Sequence, residues 1–220
     1  IIDLAGQYII KYCLEPVYEA RSSKILFEST LGKSAHQSQK MIFSQLKPVS
    51  GGCGKRVLEV STSKCFDNVN TSLILDLIDD IYPNNQITKA QRNLYQKLER
   101  RIKRQQAYTN PFPCTNGILQ GCSMSLLLIN ILFAFWVHEL KHQHPHLTIH
   151  TYIDDAKIYT TEEHIAELQA ALITTQEYDR HVGQKLSQAK STHWTTRPNR
   201  SKTPNILPEG QKQRHYKSLG

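Results

Sequence analysis

The stretch "LTIHTYIDDAKIYT", residues 147–160, constrains the fold most strongly, because it places two adjacent carboxylates among strand-forming residues. Its β-branched and aromatic side chains predict two short strands with a turn at Asp154 and Asp155. Adjacent carboxylates repel each other unless a cation compensates for their charge. Divalent ions that prefer oxygen ligands are the usual compensators. The stretch therefore predicts an antiparallel strand pair with a candidate cation site at the turn.

The Asp-Asp pair needs context, because aspartates that simply form turns explain most such pairs. The same letters recur in "IDDIY" at 78–82, where the pattern predicts a helix and we assign no chemistry. The histidine-rich segment "HQHPH" at 142–146 is interpreted as a solvated turn rather than as a metal cluster, since a proline interrupts it.

Composition narrows the class of partner. The 220 residues are enough for one substantial core. Lys and Arg outnumber Asp and Glu by 27 to 19, which gives a net charge of +8 and favours a polyanionic partner such as nucleic acid. A basic surface without a partner fits the charge equally well. The longest apolar run, residues 124–137, is too short and too interrupted to span a bilayer, so we expect no membrane partner.

The five cysteines are odd in number and form no C-x-x-C pair. Neither a disulfide framework nor a zinc knuckle is indicated. We therefore expect a reducing intracellular compartment, which the sequence does not specify further.

The remaining pattern predicts helices around one further strand. The strand covers residues 56–62. The predicted helices cover residues 5–20 with a stop or kink at Pro16, a segment from Ser34, a segment capped by Asn70 or Thr71, the basic residues 89–106, the apolar segment 126–140 and residues 161–182.

Three further motifs lie at suitable separations from "YIDD". They are "SKCFDNV" at 63–69, "GILQGCSMSLLLIN" at 117–130 and "VGQKLSQAKST" at 182–192. Taken in this order, the chain resembles the fingers and palm of a reverse transcriptase of the lineage that includes group II intron proteins and non-LTR retroelements. The resemblance covers nearly the whole chain, and the terminal "YKSLG" is similar to the start of the primer grip.

The resemblance implies an α/β (α+β) palm, with a small antiparallel sheet backed by helices and a partial helical fingers lobe. It assigns residues 1–54 to partial fingers and 55–204 to the palm, with a basic, fingers-like insertion at about 84–112. Residues 205–220 would lead to the primer-grip edge, and the thumb would be missing.

The resemblance also implies two divalent ions, Mg²⁺ or Mn²⁺, bound by carboxylates from two strands. Asp154 and Asp155 match the second catalytic block and are the expected catalytic and metal-binding residues. The first block should supply an aspartate six residues before Asp67, and this chain has Ser61 there. Glu59 is the one nearby carboxylate that could partly substitute, one strand repeat or about 6–7 Å away.

Other positions match contacts to nucleotide and template. Phe66 matches the aromatic residue beside the sugar 2′ position, and core packing is its alternative role. Gln120 and Gly121 match the loop that contacts the incoming nucleotide and the template. Lys190 matches a lysine that meets the triphosphate, and a solvated turn is its alternative role.

The expected partners are therefore an RNA template, a DNA primer and deoxynucleoside triphosphates. The leading hypothesis is RNA-templated DNA synthesis in a retroelement or intron-encoded protein, with catalytic competence left open by Ser61. The alternative is a polymerase-inactive, maturase-like RNA-binding module. A viral RNA-dependent RNA polymerase ranks lower, because it usually has Gly-Asp-Asp where this chain has Ile-Asp-Asp.

Overall fold

The computed structural model describes residues 2–22, 35–46, 54–152, 155–187 and 189–196. In chain order its elements are α1 (Ile2–Ser22), α2 (Ala35–Leu46), β1 (Lys55–Ser61), α3 (Cys65–Asn68), α4 (Thr71–Ile81), α5 (Gln86–Gln96), β2 (Glu99–Arg100), β3 (Lys103–Arg104), β4 (Ala107–Tyr108), β5 (Phe112–Pro113), α6 (Ser125–Gln143), β6 (Thr148–Tyr152), β7 (Asp155–Thr161), a 3₁₀ turn (Glu162–His164), α7 (Ile165–Val182) and β8 (Thr192–Thr195).

A four-stranded antiparallel sheet in the order β6-β7-β1-β8 forms the centre of the fold. Strand β1 lies inside the sheet and pairs with β7 on one side and β8 on the other. Successive side chains of a strand point to opposite faces, so the sheet has a back face and a front face. Leu58 and Ile158 are both fully buried on the back face.

The main core lies behind the sheet. There α4, α6 and α7 join the inward side chains of β1, β6 and β7 in one hydrophobic cluster. Helix α6 is buried around much of its circumference, as expected for a helix between a sheet and other helices. Together with the sheet, this confirms the expected α/β palm with a small antiparallel sheet backed by helices.

Helix α2 packs on the front face of the sheet. Ile42 and Leu46 of α2 form a second cluster with Val57 of β1 and Tyr159 of β7. The Tyr159 hydroxyl donates a hydrogen bond to the side-chain oxygen of Gln45, also in α2. These contacts fix α2 at the end of the front face away from Ser61, because Val57 precedes Ser61 by four residues along β1.

Of the stop or kink expected at Pro16, the stop is wrong, because helix α1 continues to Ser22. Leu14 and Tyr18, on either side of the proline, are both buried, and this packing outweighs the cost of about 3 kcal/mol for an internal proline.

The basic residues 89–106 do not form one helix. Helix α5 ends at Gln96, and two short antiparallel pairs follow, β2 with β5 and β3 with β4. A longer helix would have stacked like charges at i, i+3 and i+4, which is unfavourable. We call residues 97–113 the basic hairpin.

The other predicted elements are confirmed. The strand at 56–62 is β1, and "LTIHTYIDDAKIYT" supplies β6 and β7. Asn70 caps α4, its side chain accepting a hydrogen bond from the Leu73 N–H at 3.2 Å. Ser34, the expected cap of α2, lies outside the described residues.

Within the described ranges, no helix combines the length and hydropathy that crossing a bilayer requires. The four cysteines in these ranges, which are Cys13, Cys65, Cys114 and Cys122, are free.

Candidate active site

The end of β1 and the start of β7 lie side by side. Ser61 is the direct cross-strand partner of Asp155, and Glu59 is the partner of Lys157. Because directly opposed residues share a face, these four side chains belong to one side of the sheet. The Asp155 side chain is exposed, whereas Ser61 is buried. Asp154, the other predicted catalytic residue, lies outside the described residues.

The segment after α7 holds Ser61 from its other side. The Ser61 carbonyl oxygen accepts a hydrogen bond from the Ser187 N–H at 2.7 Å, and the Ser61 N–H donates to the Ser191 hydroxyl at 3.4 Å. The buried Ser61 hydroxyl oxygen has no hydrogen-bond partner among the described residues. A buried polar atom without a partner is uncommon in a folded protein and is costly unless something satisfies it.

Glu59 is committed to other partners. Its carboxylate accepts hydrogen bonds from the Lys157 ammonium and from the Thr192 hydroxyl, the latter at 3.0 Å. Both partners lie directly opposite Glu59 on the two neighbouring strands. Glu59 could bind a cation near Ser61 only by giving up these bonds. The expectation that it partly replaces the missing carboxylate therefore has no support in the geometry.

The donor atoms at this end of the sheet do not fit a centre for two ions. Such a centre needs carboxylates from two strands. In the described residues β7 supplies the Asp155 carboxylate, whereas β1 supplies the neutral Ser61 hydroxyl. A hydroxyl carries no charge to balance a divalent ion, so any cation here depends on the β7 side of the site.

The loop with Gln120 and Gly121 is held against the turn with Phe66. The Ile118 N–H donates to the Phe66 carbonyl oxygen at 2.6 Å, and the Gly117 N–H donates to the Val69 carbonyl oxygen at 2.9 Å. Gly117 has φ +83°, and a Cβ atom there would lie 2.6 Å from the Asp67 carbonyl oxygen. Glycine is therefore required at this position by conformation and by space.

The predicted nucleotide-contacting residues differ in exposure. Phe66 is half-buried and packs against the main core. Gln120 and Gly121 are exposed, and Gly121 has φ +84°. Lys190 is also exposed, in a turn closed by its own N–H donating to the Ser187 carbonyl oxygen at 3.1 Å. Through Ser187, the Lys190 turn is hydrogen-bonded to the strand end that carries Ser61.

Two serines near the site were missed by the sequence reasoning. Ser187 and Ser191 hold the backbone of Ser61, and both lie in the segment "LSQAKS" around Lys190. A polar residue just before a predicted strand is a weak signal, and it does not show which strand end the residue will meet. Asp67, the acidic residue of the first motif, is exposed, and Asn70 caps α4.

A buried carboxyl lies behind the site. Asp179 of α7 lines a cavity with Val60 and Thr62, which flank Ser61 in the sequence. Its Oδ2 atom has no hydrogen-bond partner among the described residues. Burial raises the pKa of Asp179 to about 7, because the charged form is poorly solvated there.

Asp79, one aspartate of the second Asp-Asp pair, has a structural role. The Arg92 guanidinium of α5 donates to Asp79 and to Asp76 of α4, at 2.8 Å in each case. Hydrogen bonds from Arg92 to Asp76 and Asp79 raise the pKa of Arg92. Asp79 of "IDDIY" and Asp76, one turn before it, thus tie α4 to α5.

Solved structures of telomerase share this fold. The apo telomerase of Candida tropicalis truncated from its C-terminal domain matches with a TM-score of 0.67 at 14% identity, over 86% of this chain and 40% of that one. The C. tropicalis telomerase in complex with a TWJ fragment of telomeric RNA gives 0.66 at 14% identity, over 84% and 33%. Candida albicans telomerase with a TWJ fragment gives 0.64 at 13% identity, over 92% and 35%.

The likeness to these structures concerns the fold, and the chain spans between a third and two fifths of their length. No curated protein matches the sequence significantly. A family model described as reverse transcriptase (RNA-dependent DNA polymerase) matches residues 7–220. That match covers nearly the whole chain, so the chain belongs to the reverse transcriptase family.

Proposed function

We propose that the chain forms the fingers and palm of a reverse transcriptase from a retroelement or an intron, and that it carries out RNA-templated DNA synthesis. In this proposal residues 1–54 belong to the fingers and 55–204 to the palm. The bound partners are an RNA template, a DNA primer and deoxynucleoside triphosphates. Asp154 and Asp155 hold Mg²⁺ or Mn²⁺, an ion that would neutralise charge on the triphosphate.

The pairing of Ser61 with Asp155 carries the proposal. Ser61, which matches the position of the family's first metal ligand, lies directly opposite Asp155 of the matched second block. This pairing supports a site that keeps the family's arrangement of the two strands with one charge fewer. We propose that synthesis is slow for this reason, and that Phe66, Gln120, Gly121 and Lys190 retain their roles toward nucleotide and template.

Primer extension tests this function. The full-length protein is given a DNA primer on an RNA template, complementary deoxynucleotides and Mg²⁺. We expect slow extension that requires the metal and disappears in Asp154→Ala. Asp80→Ala is the matched control, because Asp80 is an exposed aspartate of the other Asp-Asp pair. Extension that survives in Asp154→Ala would exclude this site as its source.

The basic hairpin favours a second function, an RNA-binding module without polymerase activity. Its residues Lys97, Arg101, Lys103 and Arg104 are exposed. Tyr108 is 59% exposed, and the Lys103 ammonium lies 5.6 Å from the centre of its ring. Cations beside an exposed aromatic ring suit single-stranded nucleic acid, where phosphates meet the charges and bases stack on rings.

Salt-dependent RNA binding tests the role of the basic hairpin, and primer extension separates the two functions. Each phosphate contact to a single strand contributes about −0.7 to the slope of log affinity against log salt. Lys103→Gln/Arg104→Gln should therefore make the slope less steep by about 1.4. The control Lys141→Gln/Arg180→Gln removes two exposed cations from α6 and α7 and should leave the slope unchanged. Equal effects of the two double variants would refute a role for the hairpin. Strong binding without extension by the parent protein would establish the second function.

A further inference from the structure

Two histidines and a glutamate meet at the end of β6 and β7 opposite to the end that carries the aspartates. His146 precedes β6, His164 ends the 3₁₀ turn after β7, and Glu167 lies in the first turn of α7. One ligand atom from each lies within 4.8 Å of the others. Sequence reasoning assigned the segment of His146 to a solvated turn, and the other two residues are distant in sequence.

The three side chains converge on a single point. The Nδ1 atom of His146 contacts Oε1 of Glu167, and the Nδ1 atom of His164 lies 3.5 Å from the same oxygen. The two imidazole rings are stacked, with centroids 4.0 Å apart and planes 4° apart. The His146 N–H also donates to Oε2 of Glu167, at 3.3 Å, which fixes the carboxylate.

This arrangement has the chemistry of a transition-metal site. Zn²⁺ binds imidazole nitrogen and carboxylate oxygen at about 2.0–2.2 Å in a tetrahedral set, so its ligand atoms lie about 3.3 Å from one another. The three atoms here are already within 4.8 Å. Neutral imidazoles tolerate close stacking, whereas two charged rings would repel.

We propose that His146, His164 and Glu167 bind one Zn²⁺ ion and leave its fourth position open to solvent. Such an ion would join the entry to β6 with the start of α7. Asp155 begins β7, and the His164 turn follows the last residue of β7, Thr161. Six residues of strand correspond to about 20 Å, so the ion would stabilise the sheet edge and would not take part in chemistry at the aspartates.

Titration of the purified full-length protein with Co²⁺, a spectroscopic substitute for Zn²⁺, tests the proposal. Mg²⁺ is kept in excess so that the aspartate site is filled. We expect one Co²⁺ ion with visible absorption typical of tetrahedral coordination, displaced by Zn²⁺. We expect each of three variants to weaken Co²⁺ binding at least about tenfold: His146→Ala, His164→Ala and Glu167→Gln. Losing a residue that only hydrogen-bonds to a metal ligand already costs about 10- to 100-fold in metal affinity.

His142→Ala is the matched control, because it removes an exposed histidine of the same segment that is outside the cluster. Thermal unfolding in chelator identifies variants that fail for lack of folding. Zn²⁺ should raise the melting temperature of the parent and of His142→Ala, and at the same Zn²⁺ concentration it should raise that of the three cluster variants less. Absence of Co²⁺ uptake by the parent would overturn the proposal. The proposal would also be overturned if His164→Ala bound Co²⁺ as well as the parent does. It would be overturned too if His142→Ala lost as much Co²⁺ binding as the cluster variants.

Discussion

Replacing Ser61 by aspartate should make the stability of this chain depend on divalent metal. Ser61 is 6% exposed and lies opposite Asp155. Facing residues of an antiparallel pair have Cα atoms about 4.5–5.5 Å apart. Two unit charges about 5 Å apart, at an effective dielectric constant of about 20, repel by about 3 kcal/mol. Without a divalent ion, Ser61→Asp should therefore lower the free energy of unfolding by about 3 kcal/mol.

Urea denaturation in chelator and in Mg²⁺ measures this effect. Mg²⁺ at about 100 times its dissociation constant adds about 2.7 kcal/mol and should restore most of the loss. Ser61→Asn is the matched control, because asparagine has nearly the same shape as aspartate and no charge, so Mg²⁺ should stabilise this variant no more than it stabilises the parent. The reasoning is refuted if Ser61→Asp is as stable as the parent in chelator, or if Mg²⁺ affects both variants equally.

Two further predictions concern the residues that support the site. Burial raises the pKa of Asp179 from 3.8 to about 7, so between about pH 4 and pH 7 the native state holds a proton that the unfolded state has lost. Stability should fall by up to about 4 kcal/mol as the pH rises through that window. Asp179→Asn should remove this slope and be the more stable protein at about pH 8, and urea denaturation showing an unchanged slope would contradict the account. Gly117→Ala should destabilise more than Gly121→Ala, because φ is nearly equal, at +83° and +84°, while a Cβ atom meets the Asp67 carbonyl oxygen only at Gly117. We expect Gly121→Ala to lose about 1–2 kcal/mol of unfolding free energy because of its positive φ alone. Gly117→Ala should lose about 1–3 kcal/mol more, because its Cβ atom is crowded. Equal losses of the two variants in thermal unfolding would contradict the close approach at Gly117.

The elements that the sequence predicts correctly depend on local patterns. In β7 the residues of the front face, such as Asp155 and Lys157, alternate with Ala156 and Ile158 of the back face, as a half-buried strand requires. The Asn70 cap is local as well, because its hydrogen bond spans three residues. The period of buried residues and the chemistry of helix caps are sufficient to predict such elements.

The elements that the sequence mispredicts depend on distant contacts. Nothing near Pro16 in the sequence indicates that Leu14 and Tyr18, on either side of it, will be buried in the core. The sequence alone makes Glu59 a candidate metal ligand. Its hydrogen bonds with Lys157 and Thr192 depend on the strand register, which the sequence does not show.

The basic hairpin also depends on contacts between residues apart in sequence. Its charges would suit a solvated helix face equally well. Cross-strand hydrogen bonds favour the hairpin, such as the one from the Thr109 N–H to the Ile102 carbonyl oxygen at 3.0 Å.

Extension of a DNA primer on an RNA template by Ser61→Asp, compared with the parent protein, tests the central claim most directly. The claim is that this chain retains the geometry of a reverse transcriptase site and lacks one metal-binding carboxylate. Restoring the charge opposite Asp155 should lower the barrier by about 3 kcal/mol, which is about a hundredfold in rate. We expect Ser61→Asp to extend primers at least about a hundred times faster than the parent in Mg²⁺, and Ser61→Asn to bring no gain. A folded, Mg²⁺-responsive Ser61→Asp protein that extends no faster than the parent would contradict the account.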